Sequence, residues 1–394
     1  MPALNPSLAN HQPNAMFRLG ALAYGRDDLI HLEFGEPGFP TPPHIASAAV
    51  ASIAGERQGY GPGNGPQWLR GAIADRVARV DGFQPDAGDV VVTAGGTGAL
   101  MAALLCLCVP GDEVLIPDPG WPGYEGMLAA AGARPVRYPL LPERGWQPDP
   151  AALDDLVGPR TRVLLVNSPS NPGGAVFTRA TLEGLVACAR RHDLWVLSDE
   201  CYDELIFSGA HVSAAALTDE PRVVTVGTCS KSYAMTGWRV GWAVAPHALA
   251  GPLGVVVSAQ VNNLPLLALR AAEAALTGPQ ECVATMRDAY RARRDLALDS
   301  LRARGLADFT PQGAFYLLVD LARAANWPAD AGAFPSIPFA EALLAERGVV
   351  VAPGASFGER IPGHARVSLA GDPDALRAGL ERMLDFAAGW RPSA

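Results

Sequence analysis

Short runs rich in β-branched residues alternate with longer helix-period segments between about residues 88 and 245. This alternation is typical of α/β proteins, in which helices connect neighbouring parallel strands. We therefore predict an α/β domain with a mostly parallel seven-stranded sheet between helices. The predicted strands are Asp89–Thr93, Glu113–Ile116, Pro135–Tyr138, Val163–Asn167, Trp195–Asp199, Val223–Gly227 and Val240–Ala245. The helices predicted between them include Gly98–Leu107, Tyr124–Ala131 and Leu182–His192.

The pattern changes after about residue 285, where helical segments alternate with more isolated strands. We interpret this part as a smaller α+β domain. The expected division is a large domain over residues 46–284 and a small domain over 1–45 and 285–394. The elements predicted in the second part are the helices Arg287–Arg304 and Asp374–Ala388 and the strands Ala314–Leu321 and Gly348–Ala352.

Composition limits the partners and the compartment that we expect. The net charge of -9 argues against nucleic-acid binding, which requires a basic face. The longest apolar stretch, Leu100–Val109, is too short to span a membrane, and Met1–Asn14 lacks the features of a secretion signal. The six cysteines include no CxxC grouping, so we expect reduced thiols and no metal site. The sequence therefore predicts a cytoplasmic protein with neither nucleic-acid nor membrane partners.

Lys231 is the only lysine in the chain, and the other 30 of its 31 basic residues are arginines. Arginine can replace lysine as a surface cation, but it cannot lose its proton and attack a carbonyl group. A lysine retained in such a chain is therefore a candidate for an amine with a chemical role, although a chance surface lysine is the alternative.

Polar segments follow three of the predicted strands. They are Asn167–Gly174, Asp199–Tyr202 and Thr228–Lys231. Ligands in open α/β sheets bind beyond the carboxyl ends of the strands, so we expect these segments to meet at one site.

These segments carry the motifs NSPSNPGG, SDECYDE and TCSKSYAMTGWRVG, in this order along the chain. Their combination resembles the class I aminotransferases of fold type I, in the branch typified by bacterial aspartate aminotransferases. The similarity extends from about Pro13 to the last helix. It implies pyridoxal 5'-phosphate as the cofactor, amino acids and 2-oxo acids as substrates, and transfer of the amino group by a ping-pong mechanism.

The resemblance also implies roles for individual residues. Lys231 matches the lysine that forms a Schiff base with the cofactor and later transfers a proton. Asp199 matches the carboxylate that keeps the pyridine nitrogen protonated and so makes the ring an electron sink; from its position alone, it could equally be a helix cap. Asn171 and Tyr202 match the donors to the phenolate oxygen of the cofactor, and Trp121 matches the aromatic residue stacked on its ring.

The phosphate of the cofactor is expected at the start of the helix that follows the first strand. Backbone N–H groups at a helix N-terminus favour a dianion, and arginine pairs with phosphate through two parallel hydrogen bonds. Tyr60 matches a tyrosine that reaches the phosphate of the neighbouring subunit, which implies a homodimer with shared active sites. The other residues that match phosphate contacts are Gly95, Gly96, Thr97, Thr228 and Arg239.

Arg366 matches the arginine that binds the α-carboxylate of the substrate, and Gly35 and Asn171 match contacts near the same group. The side chain of the substrate is less clearly indicated. Met16 and Leu105 occupy the places where relatives specific for dicarboxylates carry a hydroxyl residue and a basic residue. An unpaired distal carboxylate would cost a few kcal/mol to bury, so we expect a neutral or apolar amino donor. Gly173 replaces the threonine of the commoner NPTG motif.

Other functions use the same scaffold. A β-lyase, an oxidase, a cyclase or an aspartate aminotransferase would carry the same central lysine and aspartate. A non-catalytic protein that binds the cofactor or an amino acid is a more distant alternative, because it would not need Lys231, Asp199 and Arg366 together. A nucleotide-binding protein with GGTG as its phosphate loop lacks the spacing of the known fingerprints.

Overall fold

The computed structural model describes residues 13–392 and Leu8. The helices, numbered in chain order, are α1 Ala15–Ala23, α2 Pro43–Gly55, α3 Gln67–Val80, α4 Gly95–Leu107, α5 Gly123–Ala131, α6 Arg179–Arg191, α7 His247–Val261, α8 Leu266–Thr277, α9 Glu281–Arg302, α10 Leu321–Ala324, α11 Ser336–Arg347 and α12 Pro373–Gly389. The strands are β1 Ile30–His31, β2 Val90–Ala94, β3 Glu113–Asp118, β4 Arg134–Leu141, β5 Gln147–Pro148, β6 Thr161–Asn167, β7 Trp195–Asp199, β8 Val223–Thr228, β9 Val240–Val244, β10 Tyr316–Asp320, β11 Val349–Val350, β12 Ala352–Pro353 and β13 His364–Ser368.

The main sheet has the strand order β2-β9-β8-β7-β6-β3-β4-β5. Its central strands from β8 to β4 are parallel, whereas β9 and the edge strand β5 run antiparallel to their neighbours. The mixed α/β fold with a mostly parallel sheet confirms the prediction. The predicted number of seven strands was one too low, because Gln147–Pro148 is a two-residue edge strand that gives no periodic signal.

Alternate residues of the sheet strands face opposite layers of helices. Val91 on β2 packs with α4, α5 and α7, while its neighbours Val90 and Val92 pack with α2, α3 and α8. Leu164 on β6 faces α6 on the same side as the second group. Burial of both faces explains why the strands read as continuous apolar runs in the sequence.

Within the main sheet, the Trp242 side chain of β9 lies close to the backbone of Gly227 on β8. An added Cβ on Gly227 of β8 would lie 2.5 Å from the Trp242 ring on the adjacent strand β9. Glycine at this position leaves room for the buried indole, which fills the space between β8 and the helices on that face.

A second apolar core surrounds a three-stranded antiparallel sheet in the order β10-β13-β12. Helices α9, α11 and α12 cover it, and β1 pairs in parallel with β11 beside it. The start of α12 is fixed by Asp372, whose side chain accepts hydrogen bonds from two backbone N–H groups in the first turn. Strand β13 was absent from the sequence prediction, and it carries Arg366.

Among residues 13–392, none of the helices combines the length and the apolar character that a membrane span requires.

Candidate active site

A cavity of about 700 Å³ opens beyond the carboxyl ends of β6, β7 and β8. Asn167, Asp199 and Thr228 are the last residues of these three strands, and all of them line the cavity. The parallel strands therefore bring together the three polar segments that lie far apart in the sequence.

Most of the predicted site residues lie around this cavity. Gly95 does not itself line the cavity, but it lies next to the guanidinium group of Arg239, which does. Tyr60 lies outside the cavity, and 90% of its surface is exposed. The predicted residues that line the cavity are Gly35, Gly96, Thr97, Trp121, Asn171, Asp199, Tyr202, Thr228, Lys231, Arg239 and Arg366.

Lys231 projects into the cavity from the segment that follows β8. Its Nζ donates a hydrogen bond to the carbonyl oxygen of Gly35 at 2.5 Å and lies 5.9 Å from the centroid of the Tyr202 ring. Burial lowers the pKa of the amine to about 8. At neutral pH about one molecule in ten then carries a neutral amine, compared with fewer than about one in a thousand for free lysine. Such an amine can attack a carbonyl carbon.

Asp199 lies at the floor of the same cavity and is buried. Its Oδ2 accepts a hydrogen bond from the Tyr124 hydroxyl at 2.7 Å, and its Oδ1 accepts one from the Cys201 backbone N–H at 3.3 Å. Burial raises the pKa of Asp199, while the hydrogen bonds and the positive charge of Lys231 oppose that rise. A buried carboxylate held in this way is suited to pair with a protonated ring nitrogen.

Two aromatic residues form further walls. Trp121 lines the cavity and packs edge-on against Tyr124, with 5.3 Å between the ring centroids. On another side, the Tyr202 hydroxyl is 2.9 Å from the Tyr316 hydroxyl. The geometry thus offers one ring to a planar ligand and a pair of hydroxyl groups to its polar substituents.

The N-terminus of α4 lies at one end of the cavity. An added Cβ on Gly95, which has φ +73°, would lie 2.7 Å from Nη2 of Arg239, so glycine permits this close approach. The Thr228 hydroxyl donates to the carbonyl oxygen of Val240 at 2.9 Å and accepts from the Ser230 backbone N–H at 3.1 Å. Together, the helix N-terminus, the Arg239 guanidinium group and the hydroxyl groups of Thr228 and Ser230, which both line the cavity, form an environment suited to a phosphate dianion.

Arg366 is buried at the opposite end. Its Nη1 donates to Oδ1 of Asn171 at 3.1 Å, and its Nη2 donates to the carbonyl oxygen of Glu33. Its Nε has no partner among the described residues, and the Tyr316 ring lies 4.4 Å from its Cζ. Burial lowers the pKa of the guanidinium, and the neighbouring tyrosines and Glu33 oppose this. A carboxylate ligand would provide the missing partner.

Helix α1 forms the outer wall of the cavity. Met16 and Phe17 contribute apolar surface there, which agrees with the predicted position of Met16 near the substrate. Leu105 was placed wrongly: it lies outside the cavity with 40% of its surface exposed, near the C-terminal end of α4. Leu100, five residues and therefore about 1.4 helical turns earlier, lies on a different face of α4 and lines the cavity instead. The error arises because the sequence does not show which face of the apolar helix α4 points toward the ligand.

Several cavity residues escaped the sequence analysis. Tyr124 could have been identified, because it lies three residues after Trp121, in the first turn of α5. Ser230 also could have been identified, because it directly precedes Lys231 in the predicted segment Thr228–Lys231. Tyr316 and Glu33 gave no comparable signal, since their positions depend on how distant segments pack.

Among residues 13–392, two groups of potential metal ligands lie outside the cavity, and an arginine already pairs with a carboxylate of each. Arg76 pairs with Asp81 at 3.3 Å, and Arg191 pairs with Asp154 at 2.7 Å. Because these cations neutralise the carboxylates, we interpret both groups as ion pairs. The groups are Asp81, Glu200 and His211, and Asp154, Cys188 and His192.

Comparison with known proteins identifies the family. The profile described as aminotransferase class I and II matches residues 27–383, which is most of the chain. The chain belongs to this aminotransferase family. The aminotransferase is 40% identical to an arginine–pyruvate transaminase of Pseudomonas aeruginosa over 91% of this chain and 89% of the relative. It is 39% identical to an aspartate/prephenate aminotransferase of Thermus thermophilus over 90% of each chain.

Solved structures agree with this assignment. The aspartate aminotransferase of Thermus thermophilus with maleate superposes on this aminotransferase with a TM-score of 0.90 and 37% identity. The match covers 98% of this chain and 100% of the other. An aminotransferase from Mycobacterium tuberculosis gives a TM-score of 0.89 at 29% identity, with 99% of this chain covered. The predicted fold type and the predicted enzyme class are therefore confirmed.

Proposed function

We propose that this aminotransferase holds pyridoxal 5'-phosphate in the cavity, attached through Lys231. The observation that carries the proposal is that one cavity contains both the amine of Lys231, whose pKa is lowered, and the buried carboxylate of Asp199. Bound there, the cofactor would supply an electron sink for the pair of electrons released at the substrate Cα. Asp199 would pair with its ring nitrogen, and Trp121 would stack on its ring. Asn171 and Tyr202 would donate to its phenolate oxygen.

The phosphate would lie at the N-terminus of α4. Gly95, Gly96 and Thr97 would offer backbone N–H groups, and Arg239 and Thr228 would add side-chain donors. Support comes from the narrow space between Gly95 and Arg239, which only glycine leaves open.

The residues of the chain would divide the reaction between them. Arg366, with Asn171 and the segment at Gly35, would hold the α-carboxylate of the amino acid and fix the direction of its Cα–H bond. The free amine of Lys231 would remove the proton from Cα and deliver it to the neighbouring cofactor carbon. The buried walls would limit the access of bulk water during the proton transfer, and one water molecule would then enter to release the 2-oxo acid and supply its carbonyl oxygen.

The visible spectrum of the purified protein tests the cofactor assignment. Wild type should carry the absorbance of bound pyridoxal phosphate, and Lys231→Ala should lose it together with transaminase activity. Lys231→Arg is a matched control for charge, and it should fail in the same way because arginine stays protonated. An unchanged band in Lys231→Ala would contradict the assignment.

A neutral or apolar amino acid is the donor that we propose. The cations that line the cavity are Lys231, Arg239 and Arg366, and each already has a role in this scheme. No further cation among the cavity-lining residues is available for a distal carboxylate, whereas Met16 and Phe17 offer apolar contact. In a donor panel we expect Leu, Phe, Met or Ala to exceed Asp. Strong activity with Asp and none with the neutral donors would refute this.

A single-turnover experiment separates transamination from elimination on the same scaffold. With an amino acid alone, a transaminase releases one equivalent of 2-oxo acid and stops until an acceptor such as 2-oxoglutarate is added. A β-lyase continues to release pyruvate from a substrate with a β leaving group. We expect the first result.

We further propose a homodimer in which Tyr60 reaches the phosphate site of the partner subunit. The exposure of Tyr60 and of apolar side chains on α2 and α7, among them Val50 and Val255, supports this. Mixing Tyr60→Ala with Lys231→Ala after partial unfolding and refolding should restore some activity, because a hybrid dimer contains one intact site. Absence of any recovery in verified hybrids would contradict a shared site.

The division into a large domain over 46–284 and a small domain over 1–45 and 285–394 also stays a proposal. The separate apolar core around β10-β13-β12 supports it. A cytoplasmic location is proposed from the six free thiols, and cell fractionation tests it.

A further inference from the structure

Glu33 lies beside the guanidinium group to which the proposed function assigns the α-carboxylate. The residue is only 4% exposed and lines the cavity, and its own backbone carbonyl accepts a hydrogen bond from Arg366. Its carboxyl Oε1 is 2.9 Å from Nδ1 of His31, while Oε2 has no partner among the described residues. A buried carboxyl group with an unpaired oxygen is costly, and the reaction scheme above does not use it.

The hydrogen bonds of His31 show how many protons His31 and Glu33 hold together; we call these two residues the pair. Its Nε2 is 3.0 Å from the carbonyl oxygen of Arg26, which can only accept, so Nε2 must carry a proton. Its Nδ1 faces the Glu33 carboxyl group, and that contact also requires a proton on one of the two atoms. His31 and Glu33 therefore share one proton in this geometry, and their net charge is zero.

The surroundings of the pair favour the protonated state. Burial raises the pKa of Glu33, and the hydrogen bond from His31 opposes that rise. Burial lowers the pKa of His31, but its hydrogen bonds to Glu33 and Arg26 and the nearby charge of Asp27 outweigh it, so the net shift is upward. Asp28 also interacts with the imidazole, and Arg366 is the cation that faces Glu33. The His31 side chain is 21% exposed, which lets the pair exchange its proton with solvent.

We propose that the proton shared by His31 and Glu33 controls how tightly Arg366 binds the carboxylate of the substrate. With the proton, the pair is neutral and the charge of Arg366 is available to the substrate. Without it, the Glu33 carboxylate neutralises part of that charge and repels the incoming carboxylate. His31 and Glu33 are positioning residues in this scheme, and the proposal rests on the proposed role of Arg366.

The pH dependence of KM for the best amino donor tests the proposal. In wild type, KM should rise about tenfold as the pair loses its proton, while kcat stays nearly constant. Glu33→Gln should keep the low KM at every pH, because it is neutral. His31→Asn should show the high KM throughout, because the amide can donate to Glu33 but cannot supply a charge. His247→Asn removes an exposed histidine paired with Asp89 and should keep the wild-type profile.

The dissociation constant of hydrocinnamate, an unreactive carboxylic acid, should follow the same pattern as KM and so separates binding from chemistry. When KM of a variant is divided by KM of wild type at the same pH, the effect of the ionisation of the substrate itself cancels. An equal rise in KM at all pH values in Glu33→Gln would mean that Glu33 only supports the fold around Arg366, and it would overturn the proposal. So would a dissociation constant of hydrocinnamate that keeps the wild-type pH dependence in Glu33→Gln. If Arg366→Gln leaves KM unchanged, the proposed function of Arg366 fails instead.

Discussion

Removal of the charge on His211 should lower the unfolding free energy relative to wild type below pH 7, and it should have little effect at alkaline pH. His211 is 5% exposed, and its Nε2 lies 3.1 Å from Oε2 of Glu200 and 3.5 Å from Oδ1 of Asp81. Although burial lowers its pKa, the hydrogen bonds and charges of these carboxylates raise it from 6.5 to about 10. The histidine is therefore protonated in the folded protein at neutral pH. Its partner Glu200 directly follows the cavity residue Asp199 in the chain.

The magnitude follows from the linkage between proton binding and folding. Each pKa unit corresponds to about 1.4 kcal/mol, so the upward shift of His211 is worth up to roughly 5 kcal/mol when the ionised pair is intact. This stabilisation is fully present below the unfolded pKa near 6.5 and is lost as the pH rises through about 10. His211→Gln keeps an amide donor but removes the charge. Its unfolding free energy should fall by several kcal/mol at about pH 6, and the difference should approach zero at about pH 10.

Urea unfolding at fixed protein and cofactor concentrations measures this difference. His192→Gln is the control, because His192 also contacts a carboxylate, Asp154, but in a partly exposed pair. Exposed pairs contribute only about 0–1 kcal/mol, so the control should change little at either pH. A loss of stability in His211→Gln that is the same at both pH values would refute the reasoning, because it would reflect packing rather than charge.

Three further predictions concern the cavity. Tyr124→Phe removes the hydrogen bond to Asp199 and should lower kcat by about tenfold with little change in KM, since a hydrogen bond to a charged group is worth about 1.5–3 kcal/mol; steady-state kinetics measure this. Gly95→Ala places a methyl group against Arg239 at positive φ and should weaken pyridoxal phosphate binding by at least about tenfold, as measured by titration of the apoenzyme. The rate at which free Lys231 reacts with an amine-directed reagent in the apoenzyme should rise with pH and reach half its maximum at about pH 8, because burial lowers its pKa; a midpoint near that of free lysine would contradict this.

Six of the seven strands predicted in the main sheet were identified because both of their faces are buried, whereas β4, next to the edge strand, is partly exposed. Trp195–Asp199 matches the predicted bounds at both ends, and Val223–Thr228 differs by one residue. Helix α2 escaped prediction, because the Ala-rich segment Pro43–Gly55 has no clear apolar stripe. Short elements such as β5 are held by tertiary contacts, which a local pattern does not contain.

The cavity was predictable to the extent that its residues follow strands. Asp199 and Lys231 could be placed because the ends of parallel strands meet at one edge of the sheet. Arg366 comes from β13 in another sheet, so only the resemblance to a known family indicated that it faces the same ligand. The position predicted for Leu105 was wrong because an apolar helix does not reveal its orientation, and Leu100, about 1.4 helical turns earlier, lines the cavity instead.

Some of the residues that depart from ordinary folding rules lie at or beside the cavity. Ala234 and Arg239, on the segment that carries Lys231, have φ of 50° and 56°, which is unfavourable for residues other than glycine. Glu33 and Arg366 are buried with polar atoms that lack partners among the described residues. Each departure costs free energy in the folded protein, so the packing around it must hold it in place. Because the unpaired Nε of Arg366 belongs to a residue that lines the cavity, binding of an anionic ligand there can recover part of the cost of burying this guanidinium group.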